Sequence, residues 1–502
     1  MNIIEYFIAQ AHNVPNKVAL VDNGKTITYG QLLKRTKETA SYFKSKGINK
    51  GDKVLLAVPM SIDTYKIVLA LFYMGSIPIF MEEWAFKNNL YNNIKQLDCK
   101  AVVVAKKFKL LAFLSKGIRS IPIKLSPSKS GSKTIKMCEL QADSPALFSF
   151  TSGSNGTSKI TIRSHHFLKE QFRVLSEVTN CEGTEAICCG LAVVVLFYLG
   201  QGNTIVLRTK KMLTQAESLS TYLDKFKVTQ IIDSPAKLLA YAERLSQSTK
   251  QNITHVFTGG GPVFPNDATQ LNTNFTHAIS TIIYGSTEVE PISTVTSNEI
   301  LEANKNGEDG LCVGELNKNL NLKIINVNTT KRVFSSLSEF ETVCLNETEL
   351  GEVVVMGKHV LDTYYNSEET YQQQKIEVGT NLWHKTGDSG YVKNGVLFLT
   401  GPCNALVELE SKLSSPFSFE TKIRQIKGIK KGTFVQCNSK LISVVESSLP
   451  LEILNIELQK ILTFDHIISL KKIPMDLRHH TKINYIELKK IVKNRLKSNK
   501  TF

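Results

Sequence analysis

The chain has 502 residues, 42% of them hydrophobic and 21% charged, which excludes a small binding module and a wholly disordered protein. Lys and Arg number 61 against 45 Asp and Glu, and the resulting charge of +16 favours polyanionic partners such as nucleotides, nucleic acid or acidic lipid surfaces. The nine cysteines show no Cys-x-x-Cys spacing, so neither a zinc site nor a disulfide framework is indicated and a reducing compartment is expected.

The ends of the chain and its most apolar run predict the localisation. The first residues lack a basic segment followed by a long apolar one, as a signal peptide would have. The longest apolar run, residues 186–200, is shorter than the ~20 residues of a membrane-spanning helix. Between Lys471 and Phe502, ten Lys and Arg face two acidic residues, which is typical of a solvated helix face. We therefore expect a cytoplasmic protein without a transmembrane segment.

Helix and strand patterns alternate in the first third of the chain. Residues 61–72 predict an amphipathic helix that ends at Gly75, and residues 77–80 predict a buried strand. A second pair follows, with a helix at 93–97 and a strand at 101–105. The lysine-rich stretch 106–136 is interpreted as an exposed loop rather than a domain boundary. This order predicts an α/β fold with a parallel sheet.

The last hundred residues have strand and helix patterns of their own. Residues 391–399 predict a hairpin with Asn394-Gly395 at its turn. We therefore expect a large N-terminal domain with parallel-rich sheets at residues 1–400, a hinge at 401–404 and a small α+β domain at 405–502.

The most informative segment follows the apolar strand 148–150. It supplies backbone amides, hydroxyls and one lysine to a polyphosphate, and its residues are Thr151, Ser152, Gly153, Ser154, Asn155, Gly156, Thr157 and Lys159. Six fixed positions of this kind occur by chance with a probability on the order of 10⁻⁴ in such a chain. The lysine spacing differs from that of the Gly-x-x-x-x-Gly-Lys P-loop. A polyphosphate-binding loop of another kind is expected.

This loop resembles the phosphate loop of the acyl-adenylate-forming superfamily, the AMP-dependent synthetases and ligases. Further segments are similar in the same order, from 28–32 and 51–54 near the start to the ribose-binding motif at 386–388. The resemblance implies an ATP site that also includes Gly259, Gly260, Gly261, Pro262, Tyr284, Gly285, Ser286, Thr287 and Asp388.

The resemblance also implies roles for single residues. Glu288, next to Thr287 in the nucleotide-and-magnesium motif, offers the hard oxygen ligand that Mg²⁺ prefers. Asp388 would accept both ribose hydroxyls. Lys482, in the last motif of the family, would reach the α-phosphate and the substrate carboxylate, where negative charge accumulates. Thr287, Glu288 and Lys482 are thus the expected catalytic residues.

The last motif narrows the resemblance. Its Asp476, Arg478, His479, Lys482 and Ile483 are similar to olefin-pathway β-lactone synthetases and related fatty-acyl ligases, as is the segment 415–420. The chain also departs from the superfamily at Asn155, at 157–160, at Gly401-Pro402 in place of a hinge arginine, and at 408–412 in place of a glycine-containing loop of the thiol tunnel. The carboxylates at 408 and 410 would repel the phosphates of CoA.

We therefore expect an ATP- and Mg²⁺-dependent enzyme that converts a fatty or 3-hydroxy-fatty acid into an acyl adenylate. The acyl group could then close to a lactone or pass to an acyl carrier or to CoA. It would lie along residues 190–202, although this stretch is interpreted equally well as a buried strand. The alternatives are a fatty-acyl-CoA ligase, a nucleotide-binding regulator without catalysis, and a nucleic-acid-binding protein. The last rests on charge alone, since no nucleic-acid readout motif is present.

Overall fold

The computed structural model describes residues 1–80, 90–108, 110, 114–152, 158–179, 185–209, 212, 216–409, 412–476 and 481–497. The fold is α/β: a long mixed sheet and a second, mostly parallel sheet share the first 400 residues, and a separate small sheet follows. Among the described residues, no helix is both long enough and apolar enough to cross a membrane.

The helices are α1 (Ile4–Asn13), α2 (Tyr29–Ser45), α3 (Ile62–Met74), α4 (Leu90–Leu97), α5 (Lys116–Ser120), α6 (His165–Thr179), α7 (Ala192–Gln201), α8 (Ala216–Lys225), α9 (Pro235–Ala242), α10 (Gln247–Asn252), α11 (Pro265–Asn274), α12 (Ser297–Lys305), α13 (Leu337–Glu341), α14 (Glu368–Gln374), α15 (Pro416–Ile423), α16 (Leu451–Gln459) and α17 (Tyr485–Lys497). Short 3₁₀ turns lie at Lys106–Phe108 and Cys403–Ala405.

The strands are β1 (Val18–Asp22), β2 (Lys25–Thr28), β3 (Lys53–Ala57), β4 (Ile77–Phe80), β5 (Ala101–Val104), β6 (Ile123–Leu125), β7 (Pro145–Ser152), β8 (Ser158–Ser164), β9 (Ala186–Cys189), β10 (Thr204–Leu207), β11 (Val228–Asp233), β12 (His255–Gly259), β13 (Ile279–Ser286), β14 (Val289–Thr296), β15 (Leu311–Leu316), β16 (Leu320–Ile325), β17 (Val333–Phe334), β18 (Gly351–Gly357), β19 (Lys375–Val378), β20 (Asn381–Lys393), β21 (Val396–Pro402), β22 (Val407–Leu409), β23 (Lys412–Ser414), β24 (Ile429–Cys437), β25 (Lys440–Ser447) and β26 (His466–Ser469).

The second sheet has the order β6-β5-β3-β4-β7-β8 and confirms the predicted helix-then-strand pattern. Helix α3 ends where Gly75 adopts a φ of +71°, and β4 and β5 flank β3 in parallel. Strand β8 turns back antiparallel to β7, with Lys159 opposite Thr151. The polar loop predicted to bind phosphates therefore joins the two strands of an edge hairpin.

The long sheet runs β16-β18-β20-β21-β15-β14-β13-β12-β11-β9-β10-β1-β2. Strands β11, β12 and β13 are parallel, and β14 reverses the direction, so the ends of β12 and β13 lie side by side at a change of topology. The predicted hairpin is confirmed: Lys393 pairs with Val396 across Asn394-Gly395, whose φ angles of 52° and 80° suit a tight hairpin turn.

The apolar stretch 190–202 forms helix α7, so the alternative of a buried strand is wrong. Val195, Phe197, Tyr198 and Leu199 are fully buried, and the helix packs on α1 in the largest apolar core. A continuous apolar run does not distinguish a buried helix from a buried strand, and Gly202, with a φ of +84°, ends this helix.

Two of the motifs near the start of the chain have structural roles. Thr28 caps α2, since its side chain accepts from the N–H of Gln31 and the Gln31 side chain accepts from the N–H of Thr28. The Asp52 carboxylate accepts from the N–H of Asn49 at 2.8 Å and so closes the turn before β3. These residues specify the scaffold rather than the cavity described below.

Residues 405–497 include a sheet that is separate from the other two. Strand β25 pairs antiparallel with β24 and in parallel with β26. Helices α15 and α17 pack against β24, and apolar side chains such as Phe434, Val444 and Leu488 are buried inside this α+β unit.

Candidate active site

A cavity of about 770 Å³, part of it open to solvent, lies between the ends of β12 and β13 and residues of the C-terminal unit. Polar lining residues come from both parts of the chain: Gly260, Gly261, Tyr284, Gly285 and Asp388 from the first, Glu420, Thr481, Lys482 and Tyr485 from the second. Residues 190–202 do not line it.

The glycine turn after β12 forms one wall of this cavity. Gly260 adopts a φ of +82°, which side chains disfavour. Gly261 lies against the C-terminal unit, because a Cβ atom placed on it would overlap Oγ1 of Thr481. Only a glycine at 261 therefore allows the segment that carries Lys482 to come this close.

We expect Gly261→Ala to weaken closure of the C-terminal unit by about 1–3 kcal/mol, a typical cost of overpacking. The double variant Gly261→Ala/Thr481→Gly lacks every Thr481 side-chain atom that the new methyl group would meet. Its activity and its rate of limited proteolysis should therefore return towards those of wild type. Thr481→Gly alone is the matched control. If Gly261→Ala alone has the activity and the proteolysis rate of wild type, the close approach of residues 261 and 481 is not needed for closure.

Tyr284 and Asp388 form the next part of the wall. The Tyr284 hydroxyl donates to Oδ2 of Asp388 at 3.0 Å, and the N–H of Asp388 donates to Oγ1 of Thr386 at 3.1 Å. Burial and the neighbouring Asp388 hold the pKa of the Tyr284 phenol well above its ordinary value. Asp388 thus presents a fixed carboxylate acceptor at the cavity.

Pro402 lies directly opposite Asp388 in the β20–β21 pairing, and it also lines the cavity. Gly401 before it has a φ of +139°. Pro402 therefore offers no hydrogen-bond donor beside Asp388, and its ring fixes its φ angle.

Thr287 and Glu288 form the turn between β13 and β14. Glu288 is 8% exposed, and its Oε1 accepts from the Tyr364 hydroxyl at 3.4 Å. Burial lowers the pKa of the 8%-exposed Lys159, and the charge of Glu288 opposes this effect. The structure thus brings the lysine of the phosphate-loop hairpin near the predicted metal ligand, which lies 129 positions further along the chain.

Lys375 is a further cation near Glu288. It is 1% exposed, its Nζ donates to the Leu361 carbonyl, and it lies 5.9 Å from the ring centroid of Tyr364. Burial lowers its pKa to about 8, an effect that Glu288 and Asp362 partly offset. Because the N–H of Leu361 donates to the Glu288 carbonyl at 2.7 Å, Lys375 holds the segment that fixes Glu288.

Arg163 connects the phosphate-loop hairpin to the same turn. This 4%-exposed side chain donates from Nη1 to Oγ of Ser149 at 2.7 Å and from Nη2 to the Thr287 carbonyl at 3.4 Å. Ser149 lies on β7, two residues before Thr151. Arg163 therefore fixes the distance between two of the predicted motifs.

Lys482 is presented by a loop that Asp476 closes. Oδ1 of Asp476 accepts from the N–H groups of Thr481 and Lys482 at 2.9 and 2.8 Å, and the N–H of Asp476 donates to the Lys482 carbonyl at 2.7 Å. The Lys482 backbone is thus fixed, while its side chain remains exposed and lines the cavity.

The two units meet through an aromatic and cationic contact beside the glycine turn. The guanidinium carbon of Arg424 lies 3.8 Å from the ring centroid of Phe264, and Phe264 also packs edge-to-face on Phe417 at 5.7 Å. The Asn266 side chain donates to the Arg424 carbonyl at 2.9 Å. These contacts hold Lys482 over the cavity.

Glu420 and Tyr485 form a buried polar pair at the cavity wall. The Tyr485 hydroxyl donates to Oε1 of Glu420 at 2.7 Å, and Oγ1 of Thr433 lies 2.8 Å from the same hydroxyl. Burial raises the pKa of Glu420 to about 7, while the Tyr485 hydrogen bond opposes the shift. This pair links α15, β24 and α17 on the side of the unit that faces the cavity.

The remaining predicted positions are distributed as follows. Thr151 and Ser152 end β7, and Gly153, Ser154, Asn155, Gly156 and Thr157 lie outside the described residues, as do Arg478 and His479. Gly259 ends β12, and Pro262 lines the cavity. Oγ of Ser286 accepts a hydrogen bond from the N–H of Glu288 at 3.2 Å.

Sequence reasoning missed the residues that hold these motifs in place, namely Arg163, Phe264, Tyr364, Lys375 and Arg424. The strands that carry Lys375 and Arg163, at 375–378 and 158–164, hold other polar residues as well, so no local signal in the sequence singles these two out.

Comparison with known proteins agrees with this arrangement. The sequence profile of the AMP-binding enzyme family matches residues 7–365. The chain belongs to the AMP-binding enzyme family. It is therefore an AMP-forming, acyl-activating ligase, and the resemblance predicted from the motifs is confirmed.

Individual relatives are distant. The chain is 22% identical to the olefin β-lactone synthetase of Xanthomonas campestris pv. campestris, over 73% of this chain and 70% of that protein. It is 24% identical to 4-chlorobenzoate–CoA ligase of an Arthrobacter species, over 79% and 75%. A solved O-succinylbenzoate coenzyme A synthetase of Bacillus subtilis, in complex with ATP and magnesium, superposes with a TM-score of 0.79 at 18% identity, over 96% of this chain and 99% of the other. This likeness confirms the predicted fold class.

Proposed function

We propose that this protein uses ATP and Mg²⁺ to convert a fatty or 3-hydroxy-fatty acid into its acyl adenylate, with release of pyrophosphate. The observation that carries the proposal is the single cavity in which Lys482 of the C-terminal unit faces Asp388, Tyr284 and the glycine turn 259–261. A cation from one unit meets there a carboxylate, a tyrosine and a glycine turn from the other, as activation of a carboxylate by a nucleotide requires.

The walls of the cavity support a position for the nucleoside part of ATP, whereas Lys159, Ser286, Thr287 and Glu288 lie outside its lining. Asp388 would accept the ribose hydroxyls, and the backbone of Gly259, Gly260, Gly261 and Pro262 would lie along the adenine beside Tyr284 and Gly285. Residues 151–157, Lys159, Ser286 and Thr287 would face the polyphosphate. The buried cations Lys159 and Lys375 supply positive charge on that side.

The donor set also fits a magnesium ion that ATP brings with it. Among the described residues, no group of three His, Cys, Asp or Glu side chains could hold a metal by itself. Mg²⁺ bound with ATP is typically held by one or two carboxylates and the substrate phosphates, and Glu288 offers one carboxylate. When bound, the ion would neutralise charge on the polyphosphate.

The chemistry assigned to the chain is an in-line displacement. A carboxylate oxygen of the acid bonds to the α-phosphorus while the bond from that phosphorus to the bridging oxygen breaks, and pyrophosphate leaves with the electron pair. The Lys482 ammonium would stabilise the charge that develops around the α-phosphorus. Residues 405–502 would act as a lid about a hinge at 401–404, so that the cavity excludes water during this step.

The fate of the acyl group is the part in which this chain differs from a CoA ligase. Glu408 is exposed on β22, at the hairpin where a thiol tunnel would lie, and Pro402 occupies the hinge. With a 3-hydroxy acid, the hydroxyl oxygen would attack the acyl carbon, AMP would leave, and the hydroxyl proton would pass to solvent, giving a β-lactone. With a plain fatty acid, an acyl carrier is the alternative acceptor.

The test supplies ATP, Mg²⁺ and matched fatty and 3-hydroxy-fatty acids of several lengths, with and without CoA. Pyrophosphate release and mass spectrometry of the products are the readouts. We expect adenylate from both acids, lactone from the 3-hydroxy acid alone and little thioester. Efficient CoA-dependent thioester formation from a plain fatty acid would replace the lactone proposal by a fatty-acyl-CoA ligase. ATP binding without pyrophosphate release from any acid would overturn the activation step.

A further inference from the structure

The positive charge of this chain is unevenly distributed. Ten of the 61 Lys and Arg residues fall between Lys100 and Lys136, and no Asp or Glu does. These ten charges exceed half of the net charge of +16. None of them belongs to the cavity described above.

This segment also carries the most exposed large apolar side chains of the described residues. Leu110 is 72% and Leu114 is 67% exposed. Apolar side chains exposed to this degree, four positions apart and between lysines, indicate an interaction surface rather than a scattered surface residue. We call the exposed set the basic edge patch, and its members are Lys100, Lys106, Leu110, Leu114, Lys116 and Arg119.

The local fold directs these basic groups outward. In α5, Gly117 and Ile118 are buried, whereas Lys116 and Arg119 on either side are exposed. Lys100 precedes β5 and Lys106 follows it, and both are exposed while Ala101, Val102 and Val103 are fully buried. The exposed basic groups therefore lie at both ends of β5 and on α5, the helix that precedes the edge strand β6.

We propose that the basic edge patch binds the surface of an anionic lipid bilayer. Lysine and arginine heads attract acidic headgroups, and the leucines enter the boundary between headgroups and acyl chains. Nucleic acid explains the charge but not the leucines, because single-stranded binders offer stacking aromatics instead. The complete lack of acidic side chains between Lys100 and Lys136 favours a uniformly negative surface over a protein of mixed charge.

The patch and the phosphate-loop hairpin lie at opposite edges of the second sheet. In the order β6-β5-β3-β4-β7-β8, strand β6 is at one edge and β8, which carries Lys159, at the other. Five strand spacings of about 4.8 Å separate them, roughly 24 Å. A bilayer that contacts β6 and α5 would thus not cover the phosphate-loop hairpin.

The test is sedimentation of the full chain with vesicles of phosphatidylcholine alone, or with one third of phosphatidylglycerol, at low and high salt. Leu110→Ser/Leu114→Ser removes the apolar part of the patch, and Lys106→Gln/Lys116→Gln/Arg119→Gln removes three charges. Ile453→Ser/Ile456→Ser is the matched control, because these side chains of α16 are 45% and 59% exposed at another surface. Thermal unfolding midpoints establish that each variant folds.

We expect binding to the anionic vesicles only. Loss of three charges should weaken the partition coefficient by about a hundredfold, at roughly fivefold for each basic residue. Loss of the two leucines should weaken it by about tenfold or more, and the control should match wild type. Equal binding to neutral vesicles, or unchanged binding by the leucine variant, would overturn the proposal. So would binding to RNA or to an acidic carrier protein without binding to vesicles.

Discussion

Lys482→Ala is expected to lower the rate of ATP-dependent pyrophosphate release by about 10²- to 10³-fold, the usual effect of removing one electrostatic donor from a transition state. ATP affinity should change little, because Asp388, Tyr284 and the glycine turn belong to the first 400 residues and remain in place. A rate that falls while nucleotide binding persists identifies a group that acts mainly in the transition state.

The matched control for this variant is Lys490→Ala, which removes another exposed lysine, from α17. Rates come from a coupled pyrophosphate assay, and affinities come from equilibrium dialysis with ATP. Because the Lys482 side chain is exposed, the unfolding midpoint of the variant should equal that of wild type. Adenylation by Lys482→Ala at a rate near that of wild type would remove this residue from the mechanism.

The elements that could be predicted from the sequence are those in which the residues at the ends or turns indicate the same structure as the apolar residues between them. Helix α3 has the capping Ser61 before it and Gly75 after it, and the β20–β21 hairpin has Asn394-Gly395 at its turn. The amphipathic pattern predicted for α3 is wrong, because every residue from Thr64 to Met74 is buried. Helix α7 could not be identified as a helix, because an unbroken apolar run carries no periodicity. What distinguishes it is burial on α1, which is a property of the packed chain.

The candidate site divides in the same way. The chain segments that face the cavity were identified because small residues, hydroxyls and charges cluster within a few positions. The contacts that hold these segments in place could not be identified from the sequence. Arg424 contacts Phe264, and Thr481 contacts Gly261, across more than 150 positions of sequence. Such pairs are decided by the placement of one unit on another, which local composition does not encode.

Glu288→Gln should raise the Mg²⁺ concentration for half-maximal adenylation by about tenfold or more, because a neutral amide replaces the charged oxygen ligand that Mg²⁺ prefers while the shape is retained. The maximal rate should also fall, since the charge of the polyphosphate would then lack the divalent ion that Glu288 helps to hold. The measurement is a magnesium titration of pyrophosphate release at saturating ATP.

Tyr364→Phe is the control that separates charge from position. It removes the hydroxyl that donates to Oε1 of Glu288 at 3.4 Å but keeps the carboxylate and the ring beside Lys375. A bond this long contributes little, so the magnesium midpoint of Tyr364→Phe should remain within about threefold of wild type. If both variants shift the midpoint equally, Glu288 acts by packing rather than as a ligand. If Glu288→Gln leaves the midpoint unchanged, the metal is bound by groups other than this carboxylate, and the turn between β13 and β14 positions the nucleotide through Ser286 and Thr287 alone.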